Sequence, residues 1–271
     1  MRTRIISGAV IFLALLFFII IGGIPLQAAV GVLSVIGMFE FYRAVSKNIT
    51  FSHYIGFAFA IVYVIFMDYI INESNIFNIF VSLFLVVLLC HMVIFHHKEN
   101  ITNTLVAFFG FFYACFLLSH IFLVREYTYG EFFVWLIFMT AFGCDTGAYF
   151  TGVFFGKHKL IPDLSPKKTI EGSIGGIVTA TLICVIYGFC IEKYFVIENV
   201  NTIYLCLITG IAGSILSQIG DLAASAIKRH VGIKDYGNLI PGHGGILDRF
   251  DSVLLTAPVV YYVMIFSIKV L

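Results

Sequence analysis

The chain has 271 residues, 61% of them hydrophobic and only 11% charged, with a formal net charge of +1. A soluble domain of this size cannot hide so much apolar surface in one core, so a water-soluble globule is excluded and the bilayer must act as solvent. The small net charge provides no general attraction for a polyanion such as nucleic acid.

Apolar runs long enough to cross a bilayer as helices, about 20 residues each, follow one another along the chain. The first, within MRTRIISGAVIFLALLFFIIIGG, has a basic start like a secretory signal. It is longer than a signal core and is followed almost at once by another run, so it is read as a retained helix. The runs cover approximately Ile5–Gly23, Leu26–Val45, Tyr54–Ile71, Phe77–Phe95, Thr104–Val124, Phe132–Phe154, Ile174–Ile191, Ile203–Ile219 and Val253–Lys269. The expected fold is therefore all-α, a polytopic integral membrane protein of about nine transmembrane helices. Strands of a barrel would be shorter and would alternate.

Basic residues test this count. With the N-terminus in the cytoplasm, the inner segments hold Arg2, Arg4, Arg43, Lys47, Lys98, Lys157, Lys159, Lys167, Lys168, Lys228, Arg229, Lys234 and Arg249. Only Arg125, Lys193 and Lys269 fall outside, a strong positive-inside bias. Two long connections, residues 156–173 and 221–251, both lie on the cytoplasmic side. Residues 1–130 read as mainly structural helices, and residues 131–271 as the catalytic transmembrane region. The six cysteines sit in apolar runs without CxxC or zinc spacing and read as small buried hydrophobes.

Charge enters this apolar chain at three places. Asp145, in FGCDTGAYFTGVFFG, lies about two turns inside the sixth run, where an acid costs a few kcal/mol and needs a partner within the bundle. Gly143, Thr146, Gly147 and Ala148 around it leave room for another backbone or an ion. The loop SPKKTIEGSIGG sets Ser165, Lys167 and Lys168 before a glycine-rich helix start, a combination that collects phosphate oxygens. A basic anchor for anionic head groups would look much the same.

The third place is KRHVGIKDYGNLIPGHGGILDRFDS, residues 228–252. Asp221 and Asp248 sit at the inner ends of two helices, with Asp251 one turn after Asp248. A divalent ion such as Mg²⁺ between Asp221 and Asp248 would make a hard-oxygen site for nucleotide phosphates. Lys228, Arg229, Lys234 and Arg249 can neutralise what the ion does not. Gly242, Gly244 and Gly245 suit a tight turn or the close approach of a ligand. His243 is open between metal ligand, phosphate donor and structural hydrogen bonder.

At these residues the sequence resembles the phosphatidate cytidylyltransferases. Ser225-Ala-Ile-Lys228-Arg229, Lys234-Asp235, Gly237, Ile240-Pro241, His243-Gly244-Gly245, Asp248-Arg249 and Asp251 match that family's signature, and CDTGAYFTG and SPKKTIEG look like further family segments. The resemblance implies that CTP and phosphatidic acid give CDP-diacylglycerol and pyrophosphate. It implies Mg²⁺, with K⁺ as a candidate second cation, held by Asp221 and Asp248. It further implies a homodimer in the cell's inner (plasma) membrane, its active site cytoplasmic. Asp221, Asp248, Lys228, Arg229 and Asp145 are the expected catalytic residues. Ser165, Lys167, Lys168, Lys234, His243, Gly244, Gly245, Arg249 and Asp251 are expected to bind substrate.

Two other classes fit less well. A transporter places its polar residues near the midplane in two related halves, whereas here they gather at one face and one end. A CDP-alcohol phosphotransferase would show a dense DG…AR…G…D…D run, which is absent from the sequence.

Overall fold

The computed structural model describes residues 2–46, 48–198, 200–240, 242 and 244–269. Helices follow the apolar runs in order: α1 (Arg2–Ile21), α2 (Gly23–Ser46), α3 (Phe51–Asn72), α4 (Ser74–Ile94), α5 (Ile101–Gly110), α6 (Leu117–Glu126), α7 (Gly130–Phe155), α8 (Ile170–Tyr194), α9 (Thr202–His230) and α10 (Leu247–Lys269). A π-helical turn, Phe111–Phe116, joins α5 to α6, so these two make one rod. Among the described residues, eight such rods, from α2 onward, are long and apolar enough to cross a membrane. The expected first span coincides with α1. The protein is an all-α, polytopic membrane protein.

The chain forms two compact units. One comprises residues 1–122 and 233–248, the other residues 123–232 and 249–271. In the first, aromatic side chains of α2, α3, α4 and the π-turn fill the interior. Tyr42, Tyr63, Phe84 and Phe111 are wholly enclosed. Their polar ends are satisfied in place: the Tyr42 hydroxyl donates to the Ala107 carbonyl at 2.8 Å, and the Tyr63 and Ser119 hydroxyls bond at 2.8 Å.

In the second unit α7, α8 and α9 pack on one another, and the α7–α8 crossing is made by small residues. A Cβ on Gly147 would lie 2.5 Å from Thr179, and one on Gly176 would lie 2.8 Å from the Cys144 carbonyl oxygen. Backbones approach this closely in lipid because small residues leave van der Waals contact as the main attraction between helices. The small cluster around Asp145 therefore serves the approach of α8.

Two helices outrun the apolar runs that mark them and carry Asp221 and Asp248, as expected. Helix α9 continues about three turns past the end of its run at Ile219, and α10 begins at Leu247, ahead of its run at Val253. Both extensions are polar, so hydropathy ends before the helix does. The connection 156–173, expected as a loop, holds an antiparallel hairpin of β1 (Lys159–Ile161) and β2 (Ser165–Thr169). Four cysteines are buried as expected. Cys90 and Cys190 are instead exposed, on α4 and α8, in positions where the bilayer is the solvent.

Candidate active site

The second unit contains a cavity of about 480 Å³. Helix α7 contributes Asp145, Tyr149 and Val153, the hairpin Lys159, Leu160, Lys167 and Lys168, α8 Ser173, and α9 Gln218 and Asp221. The hairpin is fixed where it begins, before β1, and where it ends, after β2. Thr169 caps α8, its hydroxyl accepting the Gly172 N–H at 3.1 Å. Glu171, in the first turn of α8, accepts the N–H groups of Lys157 and His158 at 3.1–3.3 Å and pairs with the His158 ring at 2.6 Å. An acid there also suits the positive end of the α8 dipole.

Within the cavity, Lys168 forms an ion pair with Asp221. Asp145 accepts a hydrogen bond from the Ser252 hydroxyl of α10 at 3.2 Å. Asp251, also on α10, lies near enough to Asp145, Asp221 and Lys228 to feel their charges. Asp145, Asp221 and Asp251 thus share one region with Lys168 and Lys228. Gln218 ties α8 to α9: it receives the Ser173 hydroxyl, donates to the Ser173 carbonyl at 3.1 Å, and reaches Cys144 Sγ at 3.4 Å.

The glycine-rich stretch belongs to the first unit and is organised by carboxylates. One oxygen of Asp248 accepts the N–H groups of Tyr236 at 2.8 Å and Gly245 at 3.0 Å. Glu40 of α2 accepts from Ile246 and Leu247, both at 3.0 Å. Gly244 has φ +87°, a conformation for which side chains are penalised, and a Cβ there would also meet Asp248.

The structure therefore gathers Asp145, Lys167, Lys168 and Asp221 in one cavity, with Asp251 and Lys228 beside it. Ser165 begins β2 but does not line the cavity. Lys234, Gly244, Gly245 and Asp248 lie in the first unit, whereas Asp221 lies in the second. Arg229, Lys234 and Arg249 are exposed. His243 lies outside the described residues. Sequence reasoning missed Gln218, a neutral amide within an apolar run. It also missed Glu40, although a lone acid in MFEFYRAV is the same signal that marked Asp145.

The profile of the cytidylyltransferase family matches residues 2–267, nearly the whole chain. The chain belongs to the cytidylyltransferase family. It is similar to the phosphatidate cytidylyltransferase of Bacillus subtilis (strain 168), with 34% identity over 272 residues covering 97% of each protein. The phosphatidate cytidylyltransferase of Staphylococcus haemolyticus (strain JCSC1435) is 45% identical over 136 residues, half of each chain. That of Staphylococcus aureus (strain COL) is 45% identical over 138 residues, 51% of each. As a member of this family, the protein is a nucleotidyltransferase.

Whether the site suits a divalent ion is decided by its donors. Among the described residues, no three His, Cys, Asp or Glu side chains form a group able to hold a metal alone. Asp145 and Asp221 line the same cavity and feel each other's charge. Mg²⁺ is typically held by one or two carboxylates and completes its shell with water and phosphate oxygens. Two carboxylates in an open, lysine-bearing cavity fit that pattern better than the closed cage of a structural metal. Asp145 and Asp221 are the carboxylates that this cavity offers to such an ion; Asp248, expected beside Asp221 as a ligand, belongs to the first unit.

Proposed function

We propose that this cytidylyltransferase moves the cytidylyl group of CTP onto phosphatidate, giving CDP-diacylglycerol and pyrophosphate with Mg²⁺ required, at the cytoplasmic face of the inner membrane. One observation carries the reading. A single cavity presents Lys167, Lys168, Asp145 and Asp221 together with Tyr149 and Val153, exposed side chains of a membrane-spanning helix. A phosphate head group with acyl tails is amphipathic in the same way. The names of the relatives above add the substrate and the nucleotide.

The chemistry asks for little proton transfer. A phosphate oxygen of phosphatidate bonds to the α-phosphorus of CTP while the bond from that phosphorus to the bridging oxygen breaks, and pyrophosphate leaves with the electron pair. The attacking oxygen is already ionised near neutral pH, so no strong general base is needed. The obstacle is the approach of one anion to another. The ammonium groups of Lys167 and Lys168 lower that barrier by placing fixed positive charge where phosphate charge accumulates. Asp221 orients Lys168 through their ion pair, and Ser252 fixes the Asp145 carboxylate. A bound divalent ion would add positive charge on the CTP oxygens.

The test uses purified protein in detergent, with CTP, phosphatidate and Mg²⁺. CDP-diacylglycerol and pyrophosphate should appear together, stop when EDTA is added, and resume with excess Mg²⁺. Folded protein that forms no lipid-linked product from either CTP or dCTP would overturn the proposal.

A further inference from the structure

We propose that Glu40 is a positioning residue of the reaction, holding the glycine-rich stretch and the start of α10, the helix whose Ser252 bonds to Asp145 in the cavity. The inference rests on the cytidylyl-transfer reading above, and it concerns a residue far in sequence from every motif that reading uses.

Glu40 is 4% exposed and lies within the last two turns of the apolar helix α2. An acid there is expensive, and an apolar side chain of the same volume would pack as well or better if stability alone were at stake. What the carboxylate provides is geometry. Its two oxygens each accept one backbone N–H, from Ile246 and from Leu247. These groups open α10, where the first N–H groups have no acceptor within the helix. Hydrogen bonds from such groups to an ionised carboxylate are among the stronger kind and fix direction as well as distance.

A second observation is independent of these bonds. A Cβ on Gly237 would lie 2.6 Å from Glu40 Oε1, and one on Gly245 would fall on the carboxylate as well. Neither glycine has a positive φ, so neither is demanded by backbone conformation. The Glu40 carboxylate takes up the space. Together, Glu40 and Asp248 hold the N–H groups of Tyr236, Gly245, Ile246 and Leu247. Two acids thus pin the segment at Tyr236 and at Gly245–Leu247, with Lys234 and Asp248 flanking it.

The experiment compares E40Q, E40A, G237A and E40A/G237A by steady-state turnover and by amide hydrogen exchange. The glutamine keeps one acceptor oxygen but turns an NH₂ toward the second backbone donor. E40Q should therefore lower kcat by about tenfold or more, since sub-ångström misplacement of reacting groups has effects of that order. Exchange should quicken across residues 236–247 and remain unchanged in α7–α9. G237A should impair the wild-type background but add little to E40A, because the vacated space accepts the methyl group.

Wild-type kcat in folded E40Q and E40A would overturn the inference, as would independent, multiplying effects of E40A and G237A. Should E40A fail to fold, E40Q and G237A decide alone: unchanged kcat and unchanged exchange in both would refute the clamp. Wild-type protein without any CDP-diacylglycerol formation would instead refute the functional reading, and the exchange pattern would still judge the clamp.

Discussion

Lys168 and Asp221, 53 residues apart in sequence, form an ion pair where β2 meets α9 at the cavity wall. Their side chains are 29% and 26% exposed, so the pair is neither fully buried nor a freely solvated surface contact.

If the pair only stabilised the fold, losing it would cost about 1 kcal/mol or less and leave turnover nearly intact. We expect K168M and D221N each to reduce turnover by about 100-fold or more, because the first removes a cation that offsets phosphate charge and the second removes the carboxylate that orients it and would hold the divalent ion. The swap K168D/D221K restores a pair but should not restore activity. Assays of CDP-diacylglycerol formation alongside thermal unfolding separate the two accounts: wild-type turnover in the swap would make the pair purely structural.

For Asp145, D145N should lower turnover strongly, whereas S252A should have a milder effect. The serine contributes one hydrogen bond to the carboxylate, of the order of 1 kcal/mol. Equal losses in both variants would indicate that Asp145 acts only through its bond to Ser252.

The α7–α8 crossing predicts an effect of bulk. G147V places a branched side chain against Thr179 and should destabilise the protein by about 1–3 kcal/mol. The unfolding midpoint in detergent should drop. A midpoint equal to that of the wild type would mean that the helices are not held in contact there.

Sidedness can be read chemically. In a background without the six native cysteines, single cysteines at Asp163 and Leu239 should react with an impermeant thiol reagent only from the cytoplasmic side. Cysteines at Thr128 and Glu198 should react only from outside. All four positions are exposed in the structure. Labelling of position 239 from outside would invert the orientation derived from the lysines and arginines.

Much of the fold was legible because hydropathy dominates in lipid. Each apolar run became a helix in the expected order, and Asp221 and Asp248 fell on α9 and α10 as expected, although charge ends a hydropathy window before it ends a helix. The hairpin was invisible: strands of three and five residues, rich in lysine and proline, give no alternation to read. Asp145 was legible because an acid at depth has few explanations. Glu40 met the same criterion, but its partners are backbone N–H groups more than 200 positions away, and no side-chain pattern announces a bond to backbone. The glycines of the signature were recognised as special. That Gly237 and Gly245 make room for Glu40 required coordinates.

The glycine-lined crossing of α7 and α8 also limits how this cavity can vary. At this crossing Gly147 faces the Cβ of Thr179 and Gly176 faces the Cys144 carbonyl, atoms that no rotamer change moves, so the spacing of the two helices behaves as a fixed dimension. A larger side chain at Gly147 or Gly176 would shift a whole helix rather than trim a pocket. Changes in the accepted acyl chain or head group should therefore arise at the hairpin and at the exposed positions Tyr149 and Val153, where a side chain can be exchanged without moving its neighbours. Libraries built to alter lipid selectivity should be confined to those positions and should leave the crossing untouched.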